Sequence, residues 1–214
     1  MRLLLQDAEV FRGTFHLKAT GMFPVGIHLV RGPIGCGKTT LALLLAGLLS
    51  ATQGAVRREE VHRTGLLMQF PEYQVTSRTL AEEVESWGAP AEPVLQEIDL
   101  WDRRGSDPLA LSRGELKRLL LASLLHSGPD LLLLDEPFGG MDCRERGRMI
   151  DTISQSDTRI TILFSHDQGR LPRPDHLWEI EGGSLIDKGV MPVTSPPDPS
   201  SSQDLKADAG DGVP

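Results

Sequence analysis

The chain has 214 residues, a length that suits one α/β domain or one domain with a small insert. Thirty acidic residues against 22 basic ones give a formal charge of −8, which argues against broad electrostatic binding to nucleic acid or to an anionic lipid surface. Two cysteines, Cys36 and Cys143, are too few for a disulfide scaffold, and no cleavable N-terminal signal is visible, so the expected compartment is the reducing cytosol.

Arg2 to Val10 and Thr14 to Ala19 alternate weakly about a turn at Gly13, and both are expected as strands. Ile27 to Arg31 is expected as a third strand, followed by a glycine-rich loop and a helix from Lys38 to Leu49. Gly65 to Met68 reads as a short buried strand ahead of Gln69-Phe70-Pro71. From about residue 71 to 128 the pattern is helical, with Leu80 to Trp87, Pro93 to Leu100 and Ser112 to Leu125 as candidates, which makes this block an inserted helical subdomain. Leu131 to Leu134, bounded by Pro129 and Asp135, has the continuous apolar character of a central parallel strand; Arg159 to Phe164 is another, and Arg144 to Ile153 the crossover helix between them. After Val190 the composition turns to Pro, Ser, Asp and Gly, with five prolines, four aspartates and one lysine, and residues 190–214 are expected to form a disordered acidic tail. Leu41 to Leu49 and Leu116 to Leu125 fall well short of the roughly 18 apolar residues of a membrane span, so any membrane role is borrowed from a partner.

The loop Gly32-Pro33-Ile34-Gly35-Cys36-Gly37-Lys38-Thr39-Thr40 matches GxxxxGK[ST] in its required setting between strand and helix, and points to a nucleoside triphosphate. Glycines let successive backbone N–H groups turn onto the phosphates, Lys38 reaches the β/γ oxygens, and the Thr39 hydroxyl can ligate Mg²⁺ at a helix N-terminus that favours anions. Asp135, at the end of a buried strand beside such a loop, suits Mg²⁺ held through water. Glu136 projects differently and can act as general base on the attacking water. Ser112-Arg113-Gly114-Glu115 opens a long helix, and Ser112 with Glu115 fits a capping box; the same hydroxyl and N–H groups could also meet an anion.

Taken in order, the P-loop, Gln69, Leu111-Ser112-Arg113-Gly114-Glu115, Leu131 to Glu136, Gly140-Met141-Asp142 and Ser165-His166-Asp167 resemble the ATPase subunit of ABC transporters over nearly all of residues 1 to 189. The resemblance implies an α/β P-loop fold of ABC ATPase type, with a mainly parallel sheet, N-terminal antiparallel strands and a shortened helical subdomain at about 72–128. It further implies ATP and Mg²⁺ as ligands, Gln69 in the Q-loop with Thr39 and Asp135 in the metal set, and His166 as a switch at the γ-phosphate beside Lys38 and Glu136. Ser112, Gly114 and Asp142 would face the nucleotide of a second, identical or homologous subunit. Phe11 is expected to stack on adenine, with Phe15 as its competitor.

Met68 to Gln74 and Arg78 to Val84 resemble more narrowly the energy-coupling-factor group, which serves vitamin and cobalt or nickel uptake. There the segment after Gln69 faces a membrane protein, so Pro71, Glu72, Tyr73 and Gln74 become candidate coupling residues. An ATPase of this group implies an integral membrane permease, a dimer, a substrate-binding membrane component, no nucleic acid, and a location on the inner face of the cell membrane. Arg113 stands where the pattern has a glycine and Glu115 where it has glutamine, and Pro172 and Pro174 interrupt a stretch that is usually helical. A soluble ABC ATPase would be expected to carry a second cassette, a coiled-coil insertion or a basic face; a regulatory subunit with weak hydrolysis is opposed by Glu136 and His166.

Overall fold

Four consecutive leucines can all be buried only in a strand covered on both faces, and Leu131–Asp135 (β6) is such a strand. A computed structural model describes residues 1–155, 159–166 and 169–191. Among them nine strands form one sheet in the order β4-β1-β2-β9-β8-β3-β7-β6-β5. These are β1 Arg2–Arg12, β2 Phe15–Pro24, β3 Gly26–Arg31, β4 Gln53–Glu59, β5 Thr64–Leu67, β6, β7 Ile160–Phe164, β8 His176–Glu181 and β9 Ser184–Val190.

From β8 through β3, β7 and β6 to β5 every pairing is parallel. β4, β1 and β2 pair antiparallel, β8 and β9 form an antiparallel hairpin, and one parallel bridge, Lys18 to Ser184, joins the two parts. The expected architecture of a mainly parallel core with N-terminal antiparallel strands is the one found. The strand period of two splits β6 between two cores: Leu131 and Leu133 pack with Leu41, Leu44 and Leu45 of helix α1 (Lys38–Ala46), whereas Leu132 and Leu134 pack with the helices of the other face. Those helices are α2 (Leu80–Ser86), α3 (Ala91–Glu97), α4 (Arg113–Ser127) and α5 (Cys143–Ser154). α2, α3 and α4 stand between β5 and β6, the first two only seven residues long, so the helical insert is indeed short.

Several sequence expectations need correction, among them α3, which covers Ala91–Glu97 and not Pro93 to Leu100, and β4, which was not expected as a strand. α1 ends at Ala46 and not at Leu49, because Gly47 takes a left-handed φ of 80° and its N–H turns back to the carbonyls of Leu43 and Leu44. β2 runs five residues past Ala19 to Pro24, pairing with β1 on both sides of one irregularity between Leu5 and Ala8. β8 and β9 had no counterpart in the sequence reading, although Gly182-Gly183, with φ of 54° and 77°, is the two-residue hairpin turn that should have announced them. The expected tail from residue 192 onward and Asp167 lie outside the described residues.

Candidate functional site

β3 delivers the chain to Gly32, and α1 begins at Lys38. Gly35 and Gly37 have φ of 81° and 113°, conformations that side chains resist, and a Cβ on Gly37 would stand 2.7 Å from the Phe15 ring. Gly37 is the N-cap of α1 and offers no side-chain acceptor, so the first-turn N–H groups stay open. The Lys38 ammonium folds back over the loop and donates to the carbonyls of Gly32 and Pro33 at 2.8 and 3.1 Å. Around this helix end lies a cavity of about 280 Å³ lined by Gly35, Gly37, Lys38, Thr39 and Thr40 from the loop, with Ile34 and Phe15 beside them and Gln69, Asp135, Glu136 and His166 opposite.

Asp135 is buried at the end of β6 and accepts a hydrogen bond from the Thr39 hydroxyl at 2.6 Å. Burial pushes its carboxyl above the ordinary carboxylate range, opposed by that hydrogen bond. A hydroxyl and a carboxylate in contact, both hard oxygen donors on the phosphate side of the loop, form a donor set that fits Mg²⁺.

Glu136 departs from β6 with a left-handed φ of 48°, a strained conformation for a residue with a side chain. Its surroundings hold it there. The carboxylate accepts from the Ser165 hydroxyl at 3.0 Å, from the His166 N–H at 2.9 Å and from His166 Nδ1 at 2.5 Å. Lys38 Nζ stands 4.0 Å from the same carboxylate. The main-chain carbonyl of Glu136 accepts from Lys117 Nζ at 2.7 Å. The turn after β6 therefore brings the candidate base, the candidate switch histidine and the P-loop lysine to one point.

Ser112, Gly114 and Asp142 do not line this cavity. The Ser112 hydroxyl accepts from Glu115 N, and the Glu115 carboxylate accepts from Ser112 N, completing a capping box on α4. Asp142 and Glu145 form a second capping box on α5. A Cβ on Gly114 would stand 2.5 Å from the Gly140 carbonyl, so that glycine lets α4 approach the loop before Asp142. Arg113 reaches the Glu72 carboxylate at 3.4 Å, and its guanidinium lies 5.7 Å from the Phe70 ring centroid.

The expected aromatic is displaced. Phe11 stacks on His16, with centroids 4.2 Å apart and planes 4° from parallel, away from the P-loop cavity; Phe15 is the aromatic that lines it. The Pro71 to Gln74 segment also divides: Tyr73 is 80% exposed, whereas Pro71 is buried and the Gln74 amide clips the end of β5, accepting from Met68 N at 2.7 Å and donating to Leu66 O at 2.8 Å. Two side chains were missed by sequence reasoning. Lys117 gave no signal beyond a charge inside an apolar helix. Glu83, wholly buried, accepts from Thr76 N, Ser77 N and Trp87 Nε1, each at 2.9 Å, and so braces the segment after the Gln69 turn.

The family model described as ABC transporter matches residues 22–139. An aliphatic sulfonates import ATP-binding protein of Agrobacterium fabrum is 34% identical over 151 residues, 64% of this chain and 54% of that protein, so the chain spans about half the length of that relative. An energy-coupling factor transporter ATP-binding protein of Carboxydothermus hydrogenoformans is 28% identical over 187 residues, 75% of this chain and 69% of that protein. Among solved structures, cbiO1 of Clostridium perfringens, described as part of the ABC transporter complex cbiONQ, superposes with a TM-score of 0.67 at 20% identity over 88% of both chains, which shows a shared fold.

Proposed function

The chain belongs to the ABC transporter family, and from that premise we propose that it is the ATP-hydrolysing subunit that powers movement of a small solute through a separate membrane permease. The observation that carries this reading is the meeting of Lys38, Thr39, Asp135, Glu136 and His166 around one open helix end. Lys38 and the loop amides stabilise charge on the transferred phosphoryl group, which needs positioning and electrostatics more than covalent chemistry. Glu136 takes the proton of the attacking water, and His166, hydrogen-bonded to the Glu136 carboxylate, keeps it aimed. Thr39 and Asp135, with Gln69 beside them, would hold Mg²⁺, which when bound supplies charge neutralisation at the phosphate oxygens.

Among the described residues no helix is long and apolar enough to cross a membrane. The exposed Tyr73 and the Glu72 beside it offer a contact for the permease, on the inner face of the cell membrane. A second copy or a homologue completes a pair of nucleotide sites with Ser112, Gly114 and Asp142, and Phe15, the aromatic that lines the cavity, flanks the base. The relatives include both sulfonate and energy-coupling-factor proteins; the Met68 to Val84 segment favours a vitamin or metal-ion solute with a substrate-binding membrane component. The test is reconstitution with the membrane proteins that co-purify with the chain, measuring phosphate release and solute uptake together. Mg²⁺-dependent hydrolysis that rises with transported solute is the expected result. Hydrolysis indifferent to every co-purified membrane protein would sink the transport reading.

A further inference from the structure

Behind Glu136 lies a second cavity, of about 590 Å³, that shares Gln69, Glu136 and His166 with the P-loop cavity and is lined on its far side by Arg113, Lys117 and Arg146. The two spaces meet at the residue that activates water. One wall of the second is therefore the hydrolysis centre, and the other is cationic.

Lys117 is the informative member. It is 2% exposed and makes one hydrogen bond, to the Glu136 carbonyl, and among the described residues it forms no ion pair. An ammonium has three donors, and burying it without an anion is costly, so the unspent donors call for oxygen acceptors. Burial pushes its pKa down, with the Glu136 charge opposing, as expected of a buried cation short of a counter-ion. Room is provided at the ammonium: a Cβ on Gly139 would stand 3.1 Å from Lys117 Nζ, where that glycine leaves space. Arg146 over the Phe138 ring and Arg113 at the rim, the latter paired with Glu72, place two more guanidinium groups on the same wall. A tetrahedral oxyanion matches this arrangement in charge, acceptor number and size.

We propose that this cavity is a subsite for orthophosphate, receiving the product of γ-phosphate cleavage as it leaves the P-loop through the wall formed by Gln69, Glu136 and His166. The inference rests on the ATP-hydrolysis reading for the origin of the anion, while the subsite itself rests on the lining.

Equilibrium dialysis of radiolabelled orthophosphate against the full chain, with Mg·ADP saturating the P-loop, tests it. Lys117→Gln should weaken phosphate binding by about tenfold or more, the loss expected for a charge-assisted contact, while ADP affinity stays at the wild-type value. Lys117→Arg should retain phosphate. Gly139→Ala, which keeps the lysine and fills the space beside it, should weaken phosphate in parallel and serves if Lys117→Gln does not fold. Wild-type phosphate affinity in both Lys117→Gln and Gly139→Ala overturns the subsite, as does phosphate binding that Lys38→Ala alone removes. Displacement of orthophosphate by a non-hydrolysable ATP analogue at saturating ADP assigns the cavity to a nucleotide's terminal phosphate and overturns it too. A chain that binds phosphate through Lys117 yet hydrolyses no ATP sinks the hydrolysis reading and leaves the subsite standing.

Discussion

α1 and α4 both begin beside candidate chemistry, and their first turns are built in opposite ways. α1 starts from Gly37 at φ 113°, with no side chain to accept its N–H groups and a lysine folded over the gap. α4 starts from Ser112, whose hydroxyl and backbone N–H are both engaged by Glu115. The Glu115 carboxyl is held below its ordinary range, chiefly by the Ser112 backbone N–H and then by the Ser112 hydroxyl. An unsatisfied helix end is a request for an anion, whereas a closed box has met its own requirement. For Ser112 to touch a nucleotide on a second subunit, its hydroxyl has to be shared with, or surrendered by, the Glu115 N–H.

The contrast fails first if the open end carries no chemistry. Glu136→Gln should lower kcat by about 10²-fold or more while ATP still binds, because the amide keeps the shape and loses the basicity. Steady-state hydrolysis unchanged in the purified variant would remove Glu136 from the mechanism. At the closed end the largest expected effect is structural. Gly114→Ala sets a methyl 2.5 Å from the Gly140 carbonyl, a backbone atom that cannot swing aside, and should cost about 1–3 kcal/mol. For a chain of this size that is a fall in Tm of several degrees, read by thermal unfolding. Wild-type Tm would mean that the 139–141 loop gives way freely.

Ser112→Ala sharpens the same point at a smaller scale. Loss of the cap should destabilise by about 1 kcal/mol. If the hydroxyl only caps α4, hydrolysis at a temperature well below Tm stays unchanged; a matching loss of kcat assigns Ser112 to the proposed nucleotide contact as well.

The smallest expected effect concerns β3, which feeds the open end. His28 on this strand is 1% exposed, and its Nε2 donates to the Pro24 carbonyl at 2.8 Å while Nδ1 accepts from Trp178 Nε1 at 3.4 Å, a pattern only the neutral ring satisfies. Burial, the largest cause, holds its pKa below the ordinary 6.5. The unfolded chain then takes up the proton first as pH falls below that value, so the contribution to stability is complete above it and declines on acidification. Tm should drop more between pH 7 and 5.5 in the wild type than in His28→Gln, and equal slopes would deny His28 the effect.

Much of this was legible in the sequence because it depends on a few neighbouring residues. Gly35, Gly37 and Lys38 declare a loop through backbone conformations that only glycine takes readily, and Ser112 with Glu115 declares a cap three residues long. Leu131 to Leu134 declares a strand buried on both faces by composition alone. Phe11 and Phe15 are four residues apart on adjoining strands, and nothing local says which ring reaches the loop; the pairing of β1 with β2 does. The β8–β9 hairpin was missed because its half-exposed strands lack the leucine density of the core, although Gly182-Gly183 was there to be read.

The sequence by itself therefore determined the phosphate loop, the order of the motifs and the mainly parallel sheet. Tertiary structure alone decided that Thr39 meets Asp135 across 96 residues, that Glu136 meets His166 across 30, that Gln74 turns inward, and that Lys117 is buried against the Glu136 carbonyl. Backbone conformation and capping are settled within a turn of chain. Which side chains meet is settled by strand register and by the face each helix buries, and those are properties of the packed sheet.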